Sequence, residues 1–234
     1  MTKRLLLIST STVHGTGYLD HAEEEIRSFL GVTARVLFVP HALKDLDGYT
    51  ARARSRFEEM GFALDSLHEA PSPRAAVEAA SAVFVGGGNT FRLLSVLRRL
   101  GVMDALRQRA THGMPYLGVS AGSNLACPTI RTTNDMPIVE PPSLEALGLV
   151  PFQINPHYLD PDPASTHMGE TREERLLQFL EENETPVVGL REGAMLRVEG
   201  ESVLLQGIAG ARIFRRGRDP VEAKPGAAIG TLLA

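Results

Sequence analysis

The sequence has one cysteine, no tryptophan and no long hydrophobic run in its 234 residues. The lone thiol of Cys127 excludes a disulfide within the chain and a cysteine-rich zinc site, and it fits a reducing cytoplasm. Near the amino end only four apolar residues, 5–8, stand in a row. A signal peptide needs about 7–15 such residues and a membrane helix about 18. We therefore expect a cytoplasmic protein with no membrane partner.

An excess of positive charge is also absent. The chain has 24 Lys and Arg against 28 Asp and Glu, for a net charge of −4. Nucleic-acid binders usually carry a basic patch, so we expect no nucleic-acid partner. A hydrophobic share of 43% and a charged share of 22% are ordinary for a globular protein. We predict a single α/β domain over residues 1–234, with a homodimer as the oligomeric state to test.

Short apolar runs alternate with helical patterns through the first half of the chain. Alternating strands and helices indicate βαβ units, in which helices cover both faces of a parallel sheet. The fold class predicted is α/β, with a mostly parallel central sheet and short extra strands near the carboxyl end. The predicted strands are 5–8, 35–39, 82–85, 114–119, 187–190, 195–198, 203–206 and 213–214, and the main helices are 19–30, 49–60, 72–80, 90–100 and 170–182.

The sharpest motif is Gly-Val-Ser-Ala-Gly at residues 118–122. It matches the G-x-S-x-G nucleophile elbow, in which a serine sits on a tight turn from strand to helix. A predicted strand precedes Ser120 and a helix-compatible segment follows it, which is the context the motif requires. The alternative is a plain glycine-rich turn in which Ser120 only caps the helix.

A serine nucleophile also needs an oxyanion hole. The N–H of Ala121, directly after the serine, would supply one donor. A second donor would come from the glycine run 86–88, which follows a neighbouring strand, and Gly88 is our candidate. The other interpretation of that run is a phosphate-binding turn, although neither the G-x-x-x-x-G-K nor the G-x-G-x-x-G spacing is present.

His157 is the predicted general base, because it ends a short apolar segment at the sheet edge where α/β proteins place their sites. His14 and His167 are other histidines near predicted loops. The acid that orients the base stays open at this point. Asp135 would give the order Ser, Asp, His, and Glu192 would give Ser, His, Glu.

Four segments together resemble the peptidase E family of α-aspartyl dipeptidases, namely 85–91, 118–137, 154–157 and 169–173. The resemblance implies a serine peptidase that cleaves dipeptides with an N-terminal aspartate and needs no cofactor. It also implies a sheet like that of the class I glutamine amidotransferases. In that fold the acid follows the histidine, which favours Glu192 over Asp135. Asp135 would then shape the site or bind substrate.

The substrate implied by this resemblance carries a side-chain carboxylate, so the site needs a cation. Arg172 is the predicted carboxylate-binding residue, since its planar guanidinium matches a carboxylate with two hydrogen bonds. The alternative is a surface partner for neighbouring glutamates. Asn89, Thr90 and Glu170 are weaker candidates for lining the same pocket.

Three other functions compete with the dipeptidase. One is a related serine peptidase acting on β-aspartyl or cyanophycin-type peptides, and another is an esterase that uses the same elbow. The third is a non-catalytic binding module on the same fold. The set of Ser120, His157 and an acid argues against the binding module, which has no need of all three.

Overall fold

The computed structural model describes residues 2–164, 166 and 168–233. Its strands are β1 (Arg4–Ile8), β2 (Arg35–Val39), β3 (Ala63–Ser66), β4 (Val83–Val85), β5 (Tyr116–Val119), β6 (Gln153–Pro156), β7 (Val187–Leu190), β8 (Ala194–Glu199), β9 (Ser202–Gly207), β10 (Ala211–Arg215) and β11 (Arg218–Ala223). Its helices are α1 (Glu23–Leu30), α2 (Leu46–Glu59), α3 (Pro73–Ala79), α4 (Thr90–Arg99), α5 (Met103–Thr111), α6 (Ala121–Ala126) and α7 (Arg172–Glu182).

The strands form two sheets. The larger has seven strands in the order β3-β2-β4-β5-β1-β8-β9. Its first five strands are parallel, whereas the hairpin of β8 and β9 joins β1 antiparallel. The smaller sheet has the order β11-β10-β7-β6, and its β6 and β7 are parallel neighbours. The predicted α/β fold with a mostly parallel central sheet is confirmed.

Both faces of the sheet are buried at β1, β2, β4 and β5, which explains why these strands are almost continuously apolar. In β1, Leu5 and Leu7 belong to one core cluster, while Leu6 and Ile8 belong to the other. Helices α1 and α2 cover the second cluster, and α3 to α6 cover the first. The helices on both faces were therefore predicted correctly.

Local capping signals set two helix boundaries more exactly than hydrophobic periodicity does. Helix α2 begins three residues before the predicted position 49, because the Asp45 side chain accepts a hydrogen bond from the Gly48 N–H at 2.9 Å. Helix α7 begins at Arg172 because Thr171 and Glu174 form a reciprocal capping box. Strands β3 and β11 and helix α5 were not predicted.

Candidate active site

Ser120 stands at the end of β5 in a strained backbone conformation, with φ 51° and ψ −106°. The flanking glycines are required by close approaches. A Cβ on Gly118 would lie 2.6 Å from the Gly122 carbonyl oxygen, and one on Gly122 would overlap the Val85 carbonyl. The Ser120 N–H donates to the Ile8 carbonyl at 2.9 Å. The segment therefore forms the strand-to-helix elbow that the motif predicts.

A chain of two hydrogen bonds begins at the Ser120 hydroxyl. Its Oγ lies 2.9 Å from His157 Nε2, and His157 Nδ1 lies 2.7 Å from Glu192 Oε1. His157 follows β6 and Glu192 follows β7, which are parallel neighbours, so their carboxyl ends lie side by side. The imidazole thus sits between a hydroxyl and a carboxylate, the arrangement that lets a histidine take a proton from a serine.

This hydrogen-bonded chain is partly open to solvent. The side chain of His157 is 37% exposed and that of Glu192 is 47% exposed. Water therefore screens the attraction between the imidazolium and the carboxylate more than it would in a fully buried triad.

Ser9, directly after β1, holds His157 against the central sheet. Its hydroxyl accepts a hydrogen bond from the His157 N–H at 2.9 Å and donates to the Leu190 carbonyl at 2.7 Å. Ser9 is fully buried. The Ser9 hydroxyl therefore joins the end of β1 to the backbone of His157 and to the end of β7. No sequence signal predicts this role, because a serine at a strand end is common.

Asp135 lies apart from the imidazole. Its Oδ2 accepts hydrogen bonds from the Thr90 N–H at 2.7 Å, the Thr90 hydroxyl at 2.6 Å and the Thr133 hydroxyl at 3.1 Å. The carboxylate caps the amino end of α4, where the helix dipole favours negative charge. The structure thus puts Glu192, rather than Asp135, within hydrogen-bonding distance of His157.

The loop that carries Asp135 also fixes the strand that carries His157. Thr132 Oγ1 donates to the Ile154 carbonyl at 2.8 Å, and Asn134 Nδ2 donates to the Pro156 carbonyl at 2.6 Å. Arg172 Nη1 donates to Asn134 Oδ1 at 2.7 Å. Burial, followed by the nearby Arg175 charge, lowers the pKa of Arg172. Arg172 therefore supports this loop from α7.

A cavity of about 370 Å³ opens beside Ser120 and His157. Among the described residues that line it, Arg52 is the single arginine and Asp135 the single carboxylate. The Arg52 guanidinium lies 5.7 Å from the ring centroids of both Tyr18 and Tyr49. It makes no ion pair with a carboxylate of the described residues. Sequence reasoning missed Arg52, although its spacing of three residues from Tyr49 on one helix was a usable signal.

The cavity also contains two of the predicted glycines. Gly87 and Gly88 line it, and a Cβ on Gly87 would come 3.2 Å from the Ser120 Cβ. Gly88 has φ +133°, and a Cβ there would meet the Ala42 carbonyl at 2.7 Å. Ala121 is the first residue of α6, so its N–H has no acceptor within the helix.

Other candidate residues lie elsewhere. Asn89 uses its side chain to cap α4, accepting from the Arg92 N–H at 3.0 Å and donating to the Met136 carbonyl at 2.8 Å. Thr90 is fully buried beneath Asp135. Glu170 is on the surface, 2.9 Å from Gln178 and 3.7 Å from Arg175. None of the three is among the described lining residues, because each side chain is occupied by a structural contact or faces solvent.

The remaining residues considered in the sequence analysis, where the structure describes them, do not line the catalytic cavity. His14 is exposed, and His167 lies outside the described residues. Cys127 is fully buried, and burial raises the pKa of its thiol to about 12. Within residues 2–164, 166 and 168–233, no group of three or more His, Cys, Asp or Glu is arranged to hold a metal ion. No helix in that same part of the chain is long and apolar enough to span a bilayer.

An α/β sheet with a serine elbow, a hydrogen-bonded histidine and a carboxylate defines a serine hydrolase. The comparisons with known proteins agree with that class. The chain belongs to Peptidase family S51, whose sequence profile matches residues 5–206.

Two relatives match almost the whole chain. A peptidase E of Streptomyces coelicolor is 59% identical over 229 residues, covering 98% of this chain and 94% of the relative. A Drosophila melanogaster protein named "Probable alpha-aspartyl dipeptidase" is 47% identical over 234 residues, covering 99% of this chain and 98% of the relative. A crystal structure of a peptidase from an acI-B1 Actinobacterium has a TM-score of 0.71 at 18% identity, covering 98% of this chain and 97% of the other. That structure supports the fold.

Proposed function

We propose that this chain is a serine-type dipeptidase that hydrolyses dipeptides with an N-terminal aspartate. The observation that carries the proposal is the hydrogen-bonded chain from Ser120 through His157 to Glu192. It lies beside a cavity lined by Arg52, which forms no ion pair among the described residues. The names of two relatives, a peptidase E and an alpha-aspartyl dipeptidase, support the same substrate class.

In the proposed mechanism, His157 Nε2 takes the Ser120 proton as Oγ attacks the carbonyl carbon of the aspartyl residue. The N–H groups of Ala121 and Gly88 stabilise the resulting oxyanion. The peptide bond then breaks, His157 gives the proton to the leaving amine, and an aspartyl ester remains on Ser120. Water attacks this ester with the same histidine as base, which releases aspartate. Glu192 holds the imidazole in the tautomer that these transfers need.

The charges in the cavity suit the substrate. An Asp-X dipeptide brings a side-chain carboxylate and an α-ammonium group close to the scissile bond. Arg52 can bind the carboxylate through its planar fork. Asp135 can bind the ammonium through its Oδ1. The hydrogen bonds from Thr90 and Thr133 all go to Oδ2, so among the described residues Oδ1 accepts none. Arg172 remains the alternative carboxylate-binding residue, and a variant of each arginine tests the choice.

The direct experiment is release of free aspartate from a panel of dipeptides. The panel pairs Asp-Leu with β-Asp-Leu and with Asn-Leu, which differ in linkage and in side-chain charge. We expect fast cleavage of Asp-Leu only, and none by Ser120→Ala. Faster cleavage of β-Asp-Leu or of cyanophycin fragments would instead identify the related β-aspartyl peptidase. No cleavage, together with unchanged dipeptide binding by Ser120→Ala, would identify a binding module.

Three further expectations belong to this proposal. A cytoplasmic location fits the buried, reduced thiol of Cys127. A single domain over residues 1–234 predicts one cooperative unfolding transition. A homodimer predicts twice the chain mass of 25.3 kDa by light scattering.

A further inference from the structure

A second cavity, of about 420 Å³, lies beside the catalytic one. It is formed by the segment after β2, the turn after β3 and one face of α4. Five basic residues line it, and no aspartate or glutamate of the described residues does so. They are His41, Lys44, His68, Arg92 and Arg99. Nothing in the proposed dipeptidase reaction uses this cavity.

Three of these five basic residues lack a carboxylate partner among the described residues. Within the described part of the chain, Lys44, Arg92 and Arg99 form no ion pair. The contact of Arg92 Nη1 with the Ala42 carbonyl is long, at 3.5 Å. By contrast, Arg191 is held by both Asp160 at 2.6 Å and Glu222 at 2.9 Å. The positive charge of Lys44, Arg92 and Arg99 is therefore not neutralised by any carboxylate in the described part of the chain.

A buried imidazole lies behind these cations. His41 is 6% exposed, and its Nδ1 is buried without a hydrogen-bond partner among the described residues. Burial, then the charges of His68 and Arg99, lower the pKa of His41 to about 4. His68 is already partnered, with Nδ1 2.6 Å from Ser66 Oγ and Nε2 3.1 Å from Asp47 Oδ1. A buried polar nitrogen with no partner is costly, and a ligand that bonds to it recovers that free energy.

We propose that this cavity binds a small anion bearing a phosphate group. Lys44, Arg92 and Arg99 would neutralise its charge, and the His41 imidazole would donate a hydrogen bond from within. A multivalent anion suits the site because three cations on two separate segments surround one space. The site is distinct from the catalytic cavity, although Leu43 lines both.

Isothermal titration calorimetry with inorganic phosphate tests this inference, with sodium chloride at equal ionic strength as the reference. We expect saturable binding of phosphate to the wild type. Lys44→Gln and Arg99→Gln should each weaken it by about 10-fold or more, as expected for losing one hydrogen bond to a charged group. Both side chains are exposed, so these variants should fold. A soluble phosphate monoester is titrated in parallel. Tighter binding of the monoester than of inorganic phosphate would indicate a phosphorylated metabolite as the ligand, and the reverse would indicate free phosphate. Either result supports the site.

Two control variants make the result specific. Lys224→Gln removes the same charge from an exposed lysine after β11, and Arg52→Gln removes the cation of the catalytic cavity. Both should leave phosphate affinity unchanged. In the wild type, phosphate should also shift the imidazole NMR signals of His41. Absence of saturable binding to the wild type would overturn the inference. Phosphate affinity that falls in Arg52→Gln but stays unchanged in Lys44→Gln and Arg99→Gln would also overturn it. Neither result depends on dipeptidase activity, so the two proposals fail separately.

Discussion

The acid that orients His157 can be identified by comparing Glu192→Gln with Asp135→Asn. Both changes keep the size of the side chain and remove its charge. Glu192 lies 2.7 Å from the imidazole, so its loss should reduce stabilisation of the imidazolium that forms as Ser120 is deprotonated. Asp135 contacts Thr90 and Thr133 instead. Its loss should act mainly on substrate binding.

The exposure of the pair sets the size of the effect. Two opposite charges about 4 Å apart attract by about 1 kcal/mol in water and about 4 kcal/mol near a protein surface. Because the side chains of His157 and Glu192 are 37% and 47% exposed, we expect their attraction to lie between these two energies. Since 1.36 kcal/mol is a factor of ten in rate, this attraction corresponds to about 5-fold to 1000-fold. The amide of glutamine also favours the wrong imidazole tautomer, which adds to the loss. We expect kcat to fall by about 10²–10³, less than the roughly 10⁴ known for a buried triad acid.

The assay is kcat and KM for Asp-Leu, measured by release of aspartate. Asp135→Asn should raise KM and change kcat by less than about 10-fold, the pattern of a lost binding contact. Glu182→Gln, at the exposed end of α7, controls for charge removal as such. A Glu192→Gln enzyme with nearly normal kcat, beside an Asp135→Asn enzyme with almost none, would refute our assignment of the acid.

The other predictions are as follows. Ser120→Ala should lower kcat by on the order of 10⁶ with an unchanged melting temperature, and a tenth of the wild-type rate would show that another nucleophile acts. EDTA should leave activity unchanged, because the proposed nucleophile is a serine, so recovery of lost activity by zinc or manganese would exclude the mechanism. Arg52→Gln should lower kcat/KM for Asp-Leu about 10-fold or more and reduce the preference over Asn-Leu, whereas Arg172→Gln should affect the preference less. The opposite result would assign the substrate carboxylate to Arg172. Cys127, whose pKa is raised to about 12 by burial, should react with a thiol reagent at pH 8 only after unfolding, and rapid labelling of the native protein would contradict its placement.

The sequence was most informative where a residue type is required by geometry. Gly118 and Gly122 are such positions, because any side chain would collide with a neighbouring carbonyl. Ser120 could therefore be located from the G-x-S-x-G spacing together with the predicted strand before it and the helix-compatible segment after it. His157 could be predicted from its place after an apolar strand, since parallel strands gather their carboxyl ends at one edge.

The substrate-binding side was less predictable. Arg52 belongs to α2, far from the elbow in sequence, and its guanidinium reaches the cavity by lying against Tyr18 and Tyr49. The spacing from Tyr49 indicates only a shared helix face, whereas the contact with Tyr18 and the position beside Ser120 join distant segments and have no local motif. Asn89 illustrates the opposite error. It belongs to a family-like segment, yet it serves as a helix cap, so membership of a motif does not imply contact with substrate.

Some secondary structure was also hidden for a physical reason. Strand β3 is at the edge of the central sheet and has only four residues, with Asp65 exposed and Leu64 buried. A short strand that is covered on one face lacks the apolar run by which the central strands were found. Its sequence, two apolar residues followed by two polar ones, does not alternate and is too short to distinguish a strand from a turn.

Ser9 has a consequence for the order in which this molecule is assembled. The serine is made well before its carbonyl partner at Leu190, which is 181 residues further along the chain. Closing so long a segment is entropically unfavourable until other contacts have formed. The Ser9 hydroxyl can therefore join His157 to the end of β7 only after β7 itself has left the ribosome. A nascent or truncated chain that ends before β7 would carry Ser120 and His157 without the Leu190 carbonyl and without Glu192, so we expect it to stay inactive until both have been made.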